Sequence, residues 1–320
     1  MKHITIQDTH LSVSPICLGC ANLGVKNTDS EAFDLLDGFV AGGGNFLDTA
    51  RVYSNWVPGE LNRSERIIGD WLISRGNREQ IILATKGAHP ILGSVDSRLS
   101  TAHIAVDLFG SLETLRVETI DLYYLHRDEP SRPVAEIMET LNAHQKAGLI
   151  RYYACSNWQP SRIIAAQGYA RAKGFTGFVA NQMRWSLAGM NVGPPEDQTM
   201  CAMDLPTHRM HSESGLAAIP FGSQAGGYFT KLAADLVSAK KSGFHNDINV
   251  ALLPVLQEAA SILDTTVTAV ALGWLLAQPF VTIPIIGSRT IPQLEDSLRA
   301  SEITLPEDLV VRLNKAVDGC

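Results

Sequence analysis

The chain has 320 residues, of which 26 are Lys or Arg and 33 are Asp or Glu, so its formal net charge is −7; 45% of the residues are hydrophobic. This composition is typical of a globular protein with a large core. A mildly acidic chain without a basic run argues against nucleic acid or an anionic membrane surface as a partner. No run of about 18 apolar residues predicts a membrane span.

The N-terminal segment and the cysteines point to the cytoplasm. The segment lacks the apolar stretch of a secretory signal peptide. The cysteine number is odd and the spacing irregular, which is typical of reduced thiols. One CxxC is present, but no second CxxC or HxxxH accompanies it, so we expect no metal site. The cysteines are Cys17, Cys20, Cys155, Cys201 and Cys320.

Residues 2–13, KHITIQDTHLSV, alternate between polar and apolar side chains and carry a turn signal at Asp8-Thr9. This alternation predicts a β-hairpin. We expect it to precede the main fold and to cover one end of it.

Short β-rich runs then alternate with segments of helical period. Helical segments such as 30–43, 64–76 and 134–148 place apolar residues every three or four positions and end in Gly. Eight such units without a break in composition predict a parallel (β/α)₈ TIM barrel, as one domain over 1–320 with a last helix near 306–317. A doubly wound sheet is the alternative. The β-rich runs are 14–19, 45–50, 81–87, 120–126, 150–157, 178–183, 215–222 and 281–288.

The ends of three successive runs carry ionisable side chains. The second run ends in Asp48, with Tyr53 just beyond, the third ends near Lys86, and the fourth ends in His126. Each residue alone is more often a packed or solvated side chain than a catalyst. Because active sites of such barrels lie at the carboxyl ends of the strands, four such groups on adjacent strands favour a catalytic site.

The residue types indicate proton transfer at a carbonyl oxygen. An isolated ammonium in a strand is costly to bury, so Asp48 is expected to pair with Lys86. We expect Lys86 in turn to lower the pKa of Tyr53, which then exchanges a proton with the carbonyl oxygen, while His126 orients that oxygen. Neither GxSxG nor HExxH is present, which argues against acyl transfer and zinc hydrolysis.

At this point the sequence resembles the aldo-keto reductases. NFLDTARVY, SERIIG, ATKG, LHRD, SNW, NQM and IPIIGSRTIPQLEDS occur in the order of that family and cover nearly the whole chain. The resemblance implies a catalytic tetrad of Asp48, Tyr53, Lys86 and His126. It also implies reversible reduction of an aldehyde or ketone by hydride transfer from a nicotinamide cofactor, with Tyr53 as the general acid.

The same resemblance assigns a cofactor site. Ser156, Asn157 and Gln182 would bind the nicotinamide carboxamide, and Phe221 would stack on the ring where the family more often has Tyr. Gly287, Ser288 and Arg289 would hold a 2′-phosphate, with Arg289 making a charge-assisted contact, and Gln293 and Asp296 would reach the adenosine. NADPH is therefore expected over NADH. Taken singly, each of these residues could instead be a cap, a turn or a core residue.

The chain departs from the family in the longer segment that follows Tyr53. Aromatic rings beside Arg and His suit a polyhydroxylated or anionic carbonyl compound, such as a sugar aldehyde or a sugar-derived ketone. Core or surface packing is equally compatible with each of these residues. The residues expected to line the substrate pocket are Trp56, His89, Arg127, Trp158 and Trp185.

Substrate selectivity is expected to reside in the loops 51–63, 184–198 and 223–246. The last of these is rich in Gly and Lys, too long for a plain loop, and a candidate to close over the cofactor. Two functions stay open: a carbonyl reductase, and an NADPH-binding redox-sensing subunit that regulates a partner. The oligomeric state, the natural substrate and the physiological direction do not follow from the sequence.

Overall fold

The computed structural model describes residues 1–25, 27–191, 197 and 199–318. Cys320 and most of the stretch 192–198 of the expected 184–198 loop lie outside the described residues.

A parallel eight-stranded sheet forms the centre of the fold. Its strands follow one another in chain order, with the last strand placed beside the first. Pairing is parallel throughout; for example, Lys86 lies opposite Tyr124 and Asp48 opposite Ala84. The strands are β3 Cys17–Gly19, β4 Phe46–Asp48, β5 Ile82–Gly87, β6 Ile120–Leu125, β7 Ile150–Ser156, β8 Phe178–Gln182, β9 Ala217–Ala218 and β10 Ile285–Ile286.

The sheet closes into a barrel between β9 and β10. Ala218 donates from its backbone N–H to Val281 and accepts from Ile283, and Ile285 donates to Pro220. On the other side, β10 pairs with β3. The (β/α)₈ barrel is confirmed. The last two strands are shorter than the runs 215–222 and 281–288 because Pro220 and Pro284 have no N–H for the ladder, although their carbonyls still accept.

A hairpin precedes the barrel, as expected. Its strands are β1 Ile4–Thr5 and β2 Ser12–Val13, paired antiparallel. Its apolar side chains join the cluster that fills the barrel interior, where Leu11 and Val13 pack with residues such as Phe46 and Leu122. The hairpin therefore covers the end of the barrel opposite the carboxyl ends of the strands.

The helices surround the sheet. Two short 3₁₀ turns, Arg78–Gln80 and Arg299–Ser301, complete the elements. The helices are α1 Asp29–Ala41, α2 Arg63–Arg75, α3 Thr101–Leu115, α4 Val134–Lys146, α5 Pro160–Lys173, α6 Leu205–Ser214, α7 Tyr228–Ala234, α8 Leu236–Lys240, α9 Asp247–Ile262, α10 Val267–Leu276, α11 Ile291–Leu298 and α12 Glu307–Asp318.

The helix α12 corresponds to the last helix expected near 306–317. The segment 223–246 is not an extended loop, because it carries α7 and α8. Within the described ranges no single helix is long and apolar enough to span a membrane; α9 and α10 would qualify only as a pair, and they bend by 94° at the break between them.

Candidate active site

The carboxyl ends of β4, β5 and β6 bring three of the four expected catalytic side chains together. Asp48 is the last residue of β4, Lys86 lies in β5, and His126 directly follows β6. Tyr53 joins them from the turn after β4, where its N–H donates to the carbonyl of Ala50. Parallel pairing in register places these strand ends at one edge, which is what the spacing of the sequence predicts.

The Lys86 ammonium is fully buried and has three acceptors. Its Nζ lies 2.6 Å from Asp48 Oδ2, 2.9 Å from the Thr49 carbonyl oxygen and 3.0 Å from Tyr53 Oη. Burial disfavours the ammonium, but Asp48 and Tyr53 outweigh that effect and raise the pKa of Lys86. Lys86 is therefore a fixed positive charge beside the Tyr53 hydroxyl.

The pKa of Tyr53 departs from the expectation. Burial raises this pKa, and the raising effect exceeds the lowering effect of Lys86. The prediction that Lys86 would bring the pKa of Tyr53 below its ordinary value is therefore wrong for this structure. Desolvation dominates because the phenolate would lose its hydration. Tyr53 consequently holds its proton at neutral pH, which suits a proton donor.

His126 is a neutral imidazole beside Tyr53. The two ring centroids lie 5.7 Å apart in an edge-to-face arrangement. Burial lowers the pKa of His126 well below its usual value, and Lys86 and Arg127 add to that effect. Its Nδ1 is buried without a hydrogen-bond partner among the described residues. A neutral imidazole then carries its proton at least cost on Nε2, the nitrogen free to donate to a ligand.

A cavity of about 690 Å³ opens at these side chains and runs towards the end of β10. Asp48, Tyr53, His126 and Arg127 line one end of it. All nine residues expected at the cofactor lie along its wall, so the structure brings two separately predicted sets to one cavity. These nine are Ser156, Asn157, Gln182, Phe221, Gly287, Ser288, Arg289, Gln293 and Asp296.

The residues at the ends of β7 and β8 are held in place by polar contacts. Asn157 adopts a left-handed backbone with φ 62°, and its Nδ2 donates to the His126 carbonyl and to Ser156 Oγ. Gln182 donates from Nε2 to Asp48 Oδ1 over 2.9 Å. The cofactor end and the catalytic end of the cavity are thus joined by direct hydrogen bonds.

The far end of the cavity carries the Arg289 guanidinium, and the Asp296 carboxylate lines the same cavity. Arg289 directly precedes Thr290, the N-cap of α11, and its guanidinium has no ion-pair or hydrogen-bond partner within the part of the chain that the structure describes. Its backbone N–H donates to Gln293 Oε1 over 2.9 Å. A free guanidinium next to a helix N-terminus is suited to an anionic group such as a phosphate.

Sequence analysis singled out the segment 223–246 but named none of its individual lining residues. Ser223 Oγ donates to the Ile285 carbonyl over 2.6 Å, and Gln224 accepts from the Gly287 N–H. Lys231 also lines the cavity and donates to the Gly226 carbonyl over 2.8 Å. The sequence signal for these lining residues was a pair of glycines, Gly226 and Gly227, before a helix that carries Lys231 in its first turns. Glycine backbone can approach an anion closely because it has no side chain.

Of the expected substrate residues, three lie near the catalytic side chains. Trp56 is 46% exposed and sits edge-on to Tyr53, with ring centroids 6.2 Å apart. The ring of His89 lies 4.7 Å from that of His126. Arg127 lines the cavity, but its Nη2 is paired with Asp197 at 2.8 Å.

The structure does not bring Trp158 and Trp185 to the cavity wall, and their expected contact with substrate is corrected. Trp158 is buried against Phe178, and its Nε1 donates to the Arg127 carbonyl. Trp185 packs between Trp274 and Phe280. Trp158 is buried and Trp185 partly buried, and both indoles contact other aromatic rings of the protein.

The buried thiols lie apart from any ligand set. Cys17 and Cys20 are free and buried, and the described ranges contain no group of three His, Cys, Asp or Glu side chains placed to hold a metal ion. Burial raises the pKa of Cys20 and Cys17 well above the ordinary thiol value. Neither thiol is therefore a nucleophile at neutral pH.

Comparison with known proteins identifies a family and several relatives that this chain resembles. The sequence model of the Aldo/keto reductase family matches residues 15–318. An uncharacterized oxidoreductase of Bacillus subtilis, YrpG, is 32% identical, covering 100% of this chain and 97% of its own. Norsolorinic acid reductase stcV of Emericella nidulans is 30% identical, with 96% and 79% covered. Aryl-alcohol dehydrogenase [NADP(+)] of Phanerodontia chrysosporium is also 30% identical, with 96% and 80% covered.

Proposed function

Because the chain belongs to the aldo/keto reductase family, we propose that it reversibly reduces an aldehyde or ketone to an alcohol, with Tyr53 as the general acid. The observation that carries the proposal is the 3.0 Å contact between Lys86 Nζ and Tyr53 Oη at the end of a large cavity. Asp48 holds Lys86 in its charged form from the other side. These residues supply a proton donor and a stabilising charge at one point.

The cavity suits a nicotinamide dinucleotide. It offers an aromatic ring, Phe221, next to the catalytic end and the unpaired Arg289 at the other end. Lys231 adds a second cation on the same wall. When bound, the nicotinamide cofactor supplies the hydride for the carbonyl carbon.

The chain's own residues handle the proton. Tyr53 Oη donates its proton to the carbonyl oxygen as negative charge develops there, and Lys86 stabilises the phenolate that remains. His126 donates a hydrogen bond to the same oxygen from its neutral imidazole and orients it. The Trp56 ring lies edge-on to the Tyr53 ring, with 6.2 Å between the ring centroids.

We propose NADPH as the preferred cofactor. A 2′-phosphate requires cationic partners, and the Arg289 guanidinium forms no ion pair within the described part of the chain, although Asp296 lines the same cavity. The NADP(+) in the printed name of the aryl-alcohol dehydrogenase supports the same preference. Ser288 and Gln293 lie beside Arg289 on the cavity wall and complete a polar pocket.

We propose an aryl or otherwise apolar carbonyl compound as substrate, with a sugar-derived carbonyl as the second candidate. The loops after β4 and β5 expose apolar side chains at the carboxyl ends of the strands: Trp56 and Leu61 on the first, Ile91 and Leu92 on the second. The names norsolorinic acid reductase and aryl-alcohol dehydrogenase support the apolar class. The His89 and Trp56 rings near the mouth favour the sugar class, since rings stack on sugar C–H faces.

The test is NADPH oxidation, followed by absorbance, with panels of aryl aldehydes, aryl ketones, aldoses and keto-sugars, and with NADH in parallel. We expect turnover with NADPH and the lowest KM among aryl compounds. Tyr53→Phe should lower kcat by about 10²- to 10⁴-fold and leave NADPH affinity unchanged. Tyr169→Phe, a surface tyrosine, is the matched control.

Two outcomes would contradict the proposal. Undiminished turnover in Tyr53→Phe would remove Tyr53 as the acid. Tight NADPH binding without turnover across the whole panel would favour the redox-sensing subunit instead. A cytoplasmic location stays a prediction.

A further inference from the structure

Arg127 follows the catalytic His126 directly, and three of its nitrogen atoms are engaged. Nη1 donates to the His126 carbonyl over 2.9 Å, Nε to Thr199 Oγ1 over 2.7 Å, and Nη2 to Asp197 Oδ2 over 2.8 Å. The Arg127 side chain is only 9% exposed. All three guanidinium nitrogen atoms therefore donate hydrogen bonds to the protein itself.

The partners of Arg127, Asp197 and Thr199, lie after β8 in the chain, next to Met200, which lines the cavity. Asp197 Oδ1 also accepts from the Thr199 N–H over 2.8 Å, so the two partners of Arg127 are hydrogen-bonded to each other. Two residues further on, the Cys201 N–H donates to Asn157 Oδ1 over 3.0 Å. The segment that carries these residues is thus attached to the end of β6 by Arg127 and to the end of β7 by Asn157.

Met200 lies between these two attachments and lines the cavity together with Tyr53 and His126. An apolar thioether therefore lines the same cavity as the catalytic hydroxyl, while the Arg127 cation is ion-paired with Asp197. The charge of Arg127 is compensated by Asp197. Burial raises the pKa of Asp197, but hydrogen bonds from Thr199 and Arg127 outweigh that effect and lower this pKa to about 2. Asp197 stays anionic throughout the neutral range.

We propose that Arg127 is a positioning residue, which through its ion pair with Asp197 holds Met200 as a wall of the substrate pocket and makes that pocket select uncharged carbonyl compounds. The inference rests on the proposed function, because it assigns the Met200 end of the cavity to the substrate. It also replaces the sequence-based expectation that Arg127 contacts an anionic substrate directly.

The two candidate roles of Arg127 predict opposite effects of Asp197→Asn on the binding of an anionic substrate. If Asp197 holds the wall, loss of its charge loosens Met200 and weakens the binding of any carbonyl compound. If Arg127 instead binds an anionic substrate directly, the same change frees the guanidinium and strengthens the binding of a carboxylate. A neutral and an anionic aldehyde of similar shape, 4-nitrobenzaldehyde and 4-carboxybenzaldehyde, separate these cases.

We expect Asp197→Asn to raise KM for 4-nitrobenzaldehyde about tenfold at saturating NADPH, with kcat within about twofold and the Kd of NADPH unchanged. Arg127→Lys should act in the same direction, because an ammonium cannot reproduce the three-point fork. The double variant should be no worse than the more severe single variant. Asp70→Asn, which removes an exposed ion pair with Arg116, is the control and should change none of these values.

An unchanged KM for the neutral aldehyde in Asp197→Asn would overturn the proposal, as would a KM for 4-carboxybenzaldehyde that falls in that variant. Additive effects in the double variant would overturn it too, since they would show that the two side chains act independently.

A second measurement needs no turnover. Cys201 is half-buried within the attached segment, and we expect iodoacetamide to label it about fivefold faster in Asp197→Asn and Arg127→Lys, as read by mass spectrometry of its peptide. The buried Cys155 serves as the internal reference. Equal Cys201 labelling in wild type and both variants would overturn the attachment. If the wild type reduces no carbonyl compound, the proposed function fails, while the labelling still decides whether Arg127 holds the segment.

Discussion

Gln182 and Asp48 are hydrogen-bonded across the barrel, from the end of β8 to the end of β4, with 2.9 Å between Gln182 Nε2 and Asp48 Oδ1. These strands lie on opposite sides of the eight-strand ring. Because Lys86 occupies the other carboxylate oxygen, both oxygens of Asp48 are held. Gln182 is thus part of the support for the catalytic ion pair as well as a residue of the cavity wall.

Replacing the Gln182 amide with a carboxylate should show how far the Asp48–Lys86 ion pair depends on Gln182. We expect Gln182→Glu to lower the free energy of unfolding at pH 7 by about 1–3 kcal/mol relative to wild type, because two carboxylates then face each other inside the barrel. The difference should shrink at pH 5, where the pair shares a proton more readily. Urea unfolding at both pH values measures it. The exposed Gln80→Glu serves as control, and an equal difference at the two pH values would contradict the expectation.

The buried pair of Lys86 and Asp48 should dominate local stability. Lys86→Met leaves Asp48 as a buried charge whose remaining side-chain hydrogen bond, among the described residues, is the one from Gln182. We expect a loss of about 3–5 kcal/mol in the free energy of unfolding. The double variant Lys86→Met/Asp48→Asn should recover part of this loss because the unpaired charge is gone. Urea titration of both variants decides, and a double variant less stable than Lys86→Met would contradict this account.

The Arg289 end of the cavity should determine the cofactor preference. We expect Arg289→Ala to weaken NADPH binding by about 10- to 100-fold and NADH binding by less than about threefold, because only NADPH carries the 2′-phosphate. Cofactor titration by tryptophan fluorescence gives both Kd values. Arg312→Ala, which removes an exposed ion pair with Glu258, is the matched control. Equal losses for the two cofactors would place the 2′-phosphate elsewhere.

A buried histidine on α6 predicts loss of stability in acid. His211 is fully buried, hydrogen-bonded through Nδ1 to the Leu216 carbonyl, and burial lowers its pKa to about 4. The unfolded chain, with an ordinary pKa of about 6.5, takes up the proton first. Stability is therefore fully present above pH 6.5 and falls as the pH drops towards 4, by about 3 kcal/mol at most from this residue.

Urea unfolding between pH 7.5 and 4.5 checks this slope. The variant His211→Gln should show a flatter dependence on pH, although its stability at pH 7.5 is lower. His103→Gln, at an exposed position of α3, should retain the wild-type slope. A slope unaltered by His211→Gln would show that another group is responsible.

Much of the fold and of the candidate site follows from local pattern. The β-rich runs predicted all eight barrel strands, because a strand covered by helices must be apolar along its length. The ends of those runs predicted which polar residues would meet, since parallel strands bring their carboxyl ends to one edge. Lys231 escaped notice because its position on the cavity wall depends on how 223–246 folds into α7 and α8.

The sequence by itself determined the barrel and the meeting of Asp48, Lys86 and His126 at one edge, because period and strand order are properties of the chain alone. Only the tertiary structure decided which partners and surroundings the individual side chains have. It placed Trp158 in the core, engaged Arg127 with Asp197, and raised the pKa of Tyr53 by burial where a neighbouring charge alone would have lowered it. Desolvation and pairing depend on every atom packed around a group, and residues distant in sequence supply most of those atoms.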